Sequence, residues 1–183
     1  MLNISIIGYG YWGEKLARNF QNSTDFNILS IVDKKKTNLI NAKKNLPSIK
    51  CYLDYKKAIK NDLLDLVVIS TPTSTHFNIA KTSLEHSKHI LVEKPLCLSL
   101  KQVDELNSAS KLKKKMIFVD YPFLFSGTIN YIKKIIDLNK YGKILEIESF
   151  REQAPVRKDV NVIWDLGAHD ISILTYLFRS IIF

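Results

Sequence analysis

Apolar and polar positions along the first 120 residues fall into two alternating rhythms. Short apolar, β-branched runs read as strands at "NISIIG" (3–8), "NILSIVD" (27–33), "DLVVIS" (65–70), "HILVEK" (89–94) and "KMIFVD" (115–120). Between them lie helical segments at about 11–22, 36–45, 55–61, 74–87 and 99–114. Strands this apolar on both faces suit a parallel sheet covered by helices on each side. The strand-helix alternation predicts a doubly wound, Rossmann-type α/β domain over 1–120. Near residue 121 the rhythm changes. An amphipathic helix is expected at about 126–139, and "ILEIESFRE" (144–152) alternates apolar and polar residues. That alternation predicts a strand of an antiparallel sheet with one face in water. "QAPVRKDVN" reads as a loop, and a last helix is expected over about 164–178. The region 121–183 is thus expected to be a partial α+β domain, since one strand and one helix do not close an antiparallel layer.

Composition narrows the class. The chain has 183 residues, 46% of them hydrophobic, enough for one full domain and part of another. The net charge is +9, with 19 Lys/Arg against 11 Asp/Glu in residues 1–120 and 8 against 7 in the remainder. The lysines are scattered in groups such as "DKKK" and "KLKKK", without an aromatic-and-basic stripe for stacking bases, so no nucleic-acid partner is expected. Cys51 and Cys97 form neither a metal pair nor a disulfide framework, which points to a reducing, cytoplasmic setting. No apolar run approaches spanning length and the start lacks a basic leader, so no membrane association is expected.

Four motifs carry candidate chemistry. Gly8-x-Gly10-x-x-Gly13 has the dinucleotide fingerprint spacing: one glycine for the tight turn, one for close approach of a pyrophosphate, one for helix–strand packing. A helix start behind it offers free N–H groups to a phosphate. Asp33 ends the second strand, 20 residues beyond Gly13, where a carboxylate accepts from ribose hydroxyls and repels a 2′-phosphate; Lys34, Lys35 and Lys36 follow and offset that repulsion. The rival reading is a purely structural turn. "STPTSTHF" (70–77) either shapes a cofactor wall through Thr71, Pro72 and Thr73, with His76 opening the next helix, or is a Pro-containing turn with Ser74 or Thr75 as N-cap.

In "EKP" (93–95), Glu93 and Lys94 either face the crevice at the strand ends or form an exposed ion pair. Pro95 forces an extended Lys94 and allows a cis peptide. In "WDLGAHDIS" (164–172), Asp165, His169, Ser172 and Tyr176 recur at helical spacing as a polar stripe, suiting a general base oriented by a carboxylate, or else a solvated face. Two good ligands alone do not make a metal site, and none is expected.

Taken together and in this order, "GYGYWGEKLARNF", "STPTSTHFNIA", "LVEKPL" and "WDLGAHDISIL" resemble the glucose–fructose oxidoreductase, inositol dehydrogenase and rhizopine-catabolism family (Gfo/Idh/MocA). The resemblance covers essentially the whole chain. It implies an NAD-dependent oxidoreductase, with NADP the less favoured cofactor, acting on a secondary hydroxyl of a sugar, cyclitol or nucleotide sugar. It implies Lys94, Asp165 and His169 as catalytic residues. It implies a cofactor site at Gly8, Gly10, Tyr11, Trp12, Gly13, Asp33, Thr71, Pro72, His76 and Glu93. The spelling "WDLGAHD" looks closest to members acting on nucleotide-linked sugars. Two departures stand out. Asp120 and Tyr121 sit where relatives commonly carry a small residue and then His or Asn. Family members also continue further, building a sheet that shapes the substrate pocket and forms the oligomer interface. The alternative expectation is therefore a non-catalytic, NAD-binding remnant.

Overall fold

The structure, a computed structural model, describes residues 1–152 and 160–178, and it divides into two compact units, Met1–Asp120 and Tyr121–Phe183. In the first unit the chain runs β1 (Leu2–Ile7), α1 (Tyr11–Gln21), β2 (Phe26–Val32), α2 (Lys36–Asn45), β3 (Lys50–Tyr52), α3 (Tyr55–Ile59) and β4 (Leu66–Ile69). A 3₁₀ turn, Thr73–Thr75, leads into α4 (His76–Glu85), followed by β5 (His89–Glu93), α5 (Leu100–Lys113) and β6 (Ile117–Asp120). The six strands form one parallel sheet in the order β3-β2-β1-β4-β5-β6. Its order reverses beside β1, so the chain leaves β1 and β4 in opposite directions and opens a crevice at their carboxyl ends.

The strand sequences explain the double cover. Side chains alternate across the sheet, and both alternating sets are apolar. Val67 and Ile69 join Ile7, Ile90, Val92, Leu84 and Leu106 in one core; Val68 joins Ile4, Ile6, Ile31 and Ala17 in the other. Full burial of one such aliphatic side chain contributes about 1.5–3 kcal/mol, so these two clusters dominate the fold's stability. β3 has no counterpart in the sequence reading: at three residues, "KCY" is too short to display a period. It forms only because β2 presents an open edge, with Ile31 beside Cys51.

The second unit contains a 3₁₀ turn, Pro122–Phe125, then α6 (Gly127–Asp137), a π turn over Ile163–Gly167, and α7 (Ala168–Phe178). Tyr176 donates to Asn130 Oδ1 at 2.5 Å, tying α7 to α6, and Lys133 pairs with Asp137 one turn on. The antiparallel strand expected over 144–152 is not formed: these residues lie outside any strand. A ladder needs a partner strand, and among the described residues of this unit none forms. Side chains hold the end of this segment instead. Ser149 Oγ and Arg151 Nε each donate to Asp170 Oδ1 at 2.8 Å, and the Arg151 guanidinium lies 4.6 Å from the Phe123 ring centre. The loop expected over 153–161 falls mostly outside the described residues. No helix among those described is long and apolar enough to cross a membrane.

Candidate cofactor site

At the carboxyl ends of β1, β2 and β4 the first unit encloses a cavity of about 750 Å³. The three fingerprint glycines stand there for three different reasons. Gly8 has φ +96°, and a Cβ on it would lie 2.6 Å from the Ser70 carbonyl oxygen. A Cβ on Gly13 would lie 2.0 Å from the Gly8 carbonyl oxygen and 2.9 Å from Ser70 Oγ. Both are demanded by the chain's own packing: Ser70 Oγ donates to that Gly8 oxygen at 2.8 Å, locking β4 against the loop. Gly10 is different. A Cβ there would meet no atom within 4 Å, and its φ of −83° suits any residue. Nothing among the described residues requires a glycine at position 10, whereas a ligand seated against the backbone would.

Gly10 caps α1 with no side-chain acceptor, so the first N–H groups of an 11-residue helix face outward unpaired by the helix itself. Free N–H groups and the positive end of a helix favour an anion. Across the cavity, Asp33 is held rigidly. Its Oδ2 accepts from Tyr9 N–H at 2.7 Å and from the Asn38 amide at 2.9 Å, and its Oδ1 accepts from Lys35 N–H at 2.8 Å. A carboxylate offers about four lone-pair sites, so acceptor capacity remains on Oδ1 of this cavity-lining residue. Asn38 was not singled out in the sequence. Its signal was a polar amide in the first turn of the helix that follows Asp33, too common a pattern to stand out.

The remaining expected residues divide. Gly8, Gly10, Asp33, Thr71 and Pro72 line the cavity. Tyr11 and Trp12 do not. Their rings are 70% and 53% exposed and pack edge to face at 5.3 Å, with Lys15 over both. Because α1 starts at Tyr11, only backbone N–H groups of these two residues are left at the helix start. His76 also lies outside the lining; it is 1% exposed and bonded to the backbone on both sides. Glu93 ends β5 beside Asp120 of β6, and the Lys94–Pro95 peptide is cis. Neither Glu93 nor Lys94 lines this cavity.

In the second unit, Asp165 lies in the π turn and His169 in the first turn of α7, and both are buried. The π turn, closed by Ala168 N–H donating to Ile163 O, replaces the regular helix start expected at 164; such widened turns recur at functional sites. His169 packs edge to face on Phe123, ring centres 4.9 Å apart. Of the stripe read from the sequence, Ser172 turns back to donate to the His169 carbonyl at 2.7 Å. Burial pushes the Asp120 carboxyl and the Tyr121 hydroxyl above their ordinary pKa ranges, and the Cys97 thiol up to about 11. Among the described residues no group of three His, Cys, Asp or Glu side chains is placed to hold a metal.

A parallel sheet in the order above, a glycine loop closing onto a bare helix start, and a fixed acid after β2 define a dinucleotide-binding Rossmann protein. Residues 2–121 match the GFO_IDH_MocA model, an oxidoreductase family with an NAD-binding Rossmann fold, and the chain belongs to that family. It is 27% identical over 183 residues to the myo-inositol 2-dehydrogenase of Thermotoga maritima, covering 96% of this chain and 54% of that protein. It is 29% identical over 116 residues to the UDP-N-acetylglucosamine 3-dehydrogenase of Acidithiobacillus ferrooxidans, covering 62% of this chain and 36% of that one. In fold it matches GenD2 from gentamicin A biosynthesis, solved in complex with NAD, at TM-score 0.84 and 19% identity, covering 97% of this chain and 53% of that one. The chain thus spans about half the length, or less, of the relatives it matches.

Proposed function

We propose that this chain is the cofactor-binding portion, with catalytic residues, of an NAD-dependent dehydrogenase acting on a secondary hydroxyl of a sugar, cyclitol or nucleotide sugar. The observation that carries it is the open space at Gly10, facing a bare helix start and a fixed carboxylate in one cavity. The residues fit a dinucleotide: α1 would take the pyrophosphate, and the free acceptor face of Asp33 a ribose hydroxyl. Asp33 disfavours a 2′-phosphate, so NAD is preferred over NADP. When bound, NAD supplies the hydride acceptor or donor.

The proton chemistry falls to the chain. Lys94 holds the substrate oxygen and stabilises the negative charge that develops on it. His169 takes the hydroxyl proton, and Asp165 orients the imidazole. The class of substrate rests on the two relatives, whose names place their activities on inositol and on a UDP-linked sugar. The protein is read as cytoplasmic, with no nucleic-acid partner, and as part of a homo-oligomer in its complete form.

The test is NADH titration of the chain, then turnover assays on myo-inositol and UDP-N-acetylglucosamine followed by nicotinamide absorbance. Tight NADH binding with turnover is expected. Lys94→Met should then lower kcat/KM by about 10²–10³ and His169→Ala by about 10²–10⁴. Binding without turnover on any sugar or cyclitol supports the non-catalytic reading, and absence of NADH binding refutes both.

A further inference from the structure

His76 is 1% exposed, and each of its ring nitrogens meets a backbone carbonyl oxygen: Nε2 lies 2.8 Å from Thr71 O, and Nδ1 lies 2.9 Å from Pro95 O. Carbonyl oxygens accept hydrogen bonds and never donate them. A neutral imidazole carries one N–H and therefore serves one of these oxygens; its other nitrogen would set a lone pair against the second. Turning the ring by half a revolution exchanges nitrogens with carbons and adds no donor.

Two effects oppose a cation here. Burial removes it from water, and the start of α4 is the positive end of a helix. The helix end disfavours protonation by about two- to fivefold. A charge-assisted hydrogen bond to a carbonyl favours it by about ten- to a hundredfold, and two fixed carbonyl dipoles stand in for lost hydration. The titratable side chains flanking Pro95 are Glu93, Lys94 and Cys97, while Thr71–Thr75 hold none. On α4 itself Lys81 and Glu85 lie more than a turn away, and Lys81 pairs with Glu105 of α5 at 2.5 Å.

The two carbonyls belong to different parts of the site. Thr71 is in the wall of the cofactor cavity. Pro95 follows Lys94 directly. We propose that His76 is an imidazolium donating from both ring nitrogens, and that it is the positioning residue locking the Thr71–Pro72 wall to the Lys94–Pro95 segment. The positioning role rests on the cofactor reading above; the charge state does not.

Two measurements on the full chain decide it. The first is nitrogen NMR of ¹⁵N-histidine-labelled protein at pH 7, with His86→Gln, His89→Gln and His169→Gln assigning the fourth imidazole by elimination. Two protonated, nearly equal ring-nitrogen shifts for His76 are expected; the split pair of a neutral tautomer overturns the charge. The second is NADH titration followed by backbone amide shifts. In the wild type NADH should move the amides of Leu96 and Cys97 along with those of Thr71 and Thr73. In His76→Gln the Leu96 and Cys97 shifts should vanish, and NADH affinity should fall about tenfold. Unchanged propagation in His76→Gln overturns the positioning role. If the wild type binds no NADH, the cofactor reading and the positioning role fall together, while the nitrogen shifts still decide the charge.

Discussion

Alanine substitutions at Gly10 and Gly13 separate packing from ligand binding. At Gly13 the new methyl would sit 2.0 Å from the Gly8 carbonyl oxygen, against an ordinary contact of about 3.5 Å. Ser70 Oγ could rotate away, but the Gly8 carbonyl is backbone of the β1–α1 loop, which no rotamer change relieves, so α1 must retreat from the sheet. Overpacking of this kind costs about 1–3 kcal/mol. With rigid neighbours the upper end applies, and the unfolding midpoint should fall by roughly 6–12 °C, at about 2–4 °C per kcal/mol for a chain of this size. At Gly10 the methyl meets nothing within 4 Å. A weaker N-cap costs under about 1 kcal/mol, and reduced freedom of the unfolded chain returns about 0.4–1 kcal/mol. The midpoint of Gly10→Ala should therefore lie within about 3 °C of the wild type. NADH affinity should nonetheless fall roughly a hundredfold, as for one or two lost charge-assisted hydrogen bonds at about 1.5–3 kcal/mol each. Thermal melts and fluorescence titration with NADH read both quantities. A Gly10→Ala protein that melts normally and binds NADH within about threefold of the wild type would refute the pyrophosphate seat.

Asp33→Ser removes the acceptor from three N–H donors. It should destabilise the protein by about 1–3 kcal/mol and abolish preference for NADH over NADPH in paired titrations; an unchanged affinity ratio would show that Asp33 does not face the ribose. Tyr11→Ala, by contrast, should leave NADH affinity unchanged, because that ring stands in solvent outside the cavity. Burial raises the folded-state pKa of Asp120, so between its unfolded and folded values the native state holds a proton the unfolded chain has lost. Stability then falls as pH rises through that window and stays lowered above it. Asp120→Asn should raise the denaturation midpoint at pH 7 and flatten its decline above about pH 4; a lower midpoint at pH 7 would contradict the burial cost.

Much of the first unit was legible because its information is local. Each strand except the three-residue β3 shows as an apolar run, and each helix by its spacing. The glycine spacing and the acid 20 residues on were visible as letters. Their division of labour was not. Whether position 10 faces open space, while position 13 faces the Gly8 carbonyl and Ser70 Oγ, depends on how the loop folds back on α1 and on where the end of β4 places Ser70, more than 55 residues away in the chain. Asn38 carries no distinctive signal of its own in the sequence, because its bond to Asp33 depends on how α2 docks beside the end of β2.

The chain by itself determined the alternation of strands and helices, the fingerprint and the family, since these are patterns of residue type along a line. Only the tertiary structure decided what depends on pairing and enclosure. β3 forms because β2 offers it an edge, whereas residues 144–152, with the better strand pattern, pair with no strand among the described residues. Likewise, the sequence puts His76 at a helix start within the implied cofactor site, but only the fold closes two carbonyls on its ring, five residues before it and 19 after it in the chain. A hydrogen bond is fixed by distance in space, and no periodicity in a sequence encodes that distance.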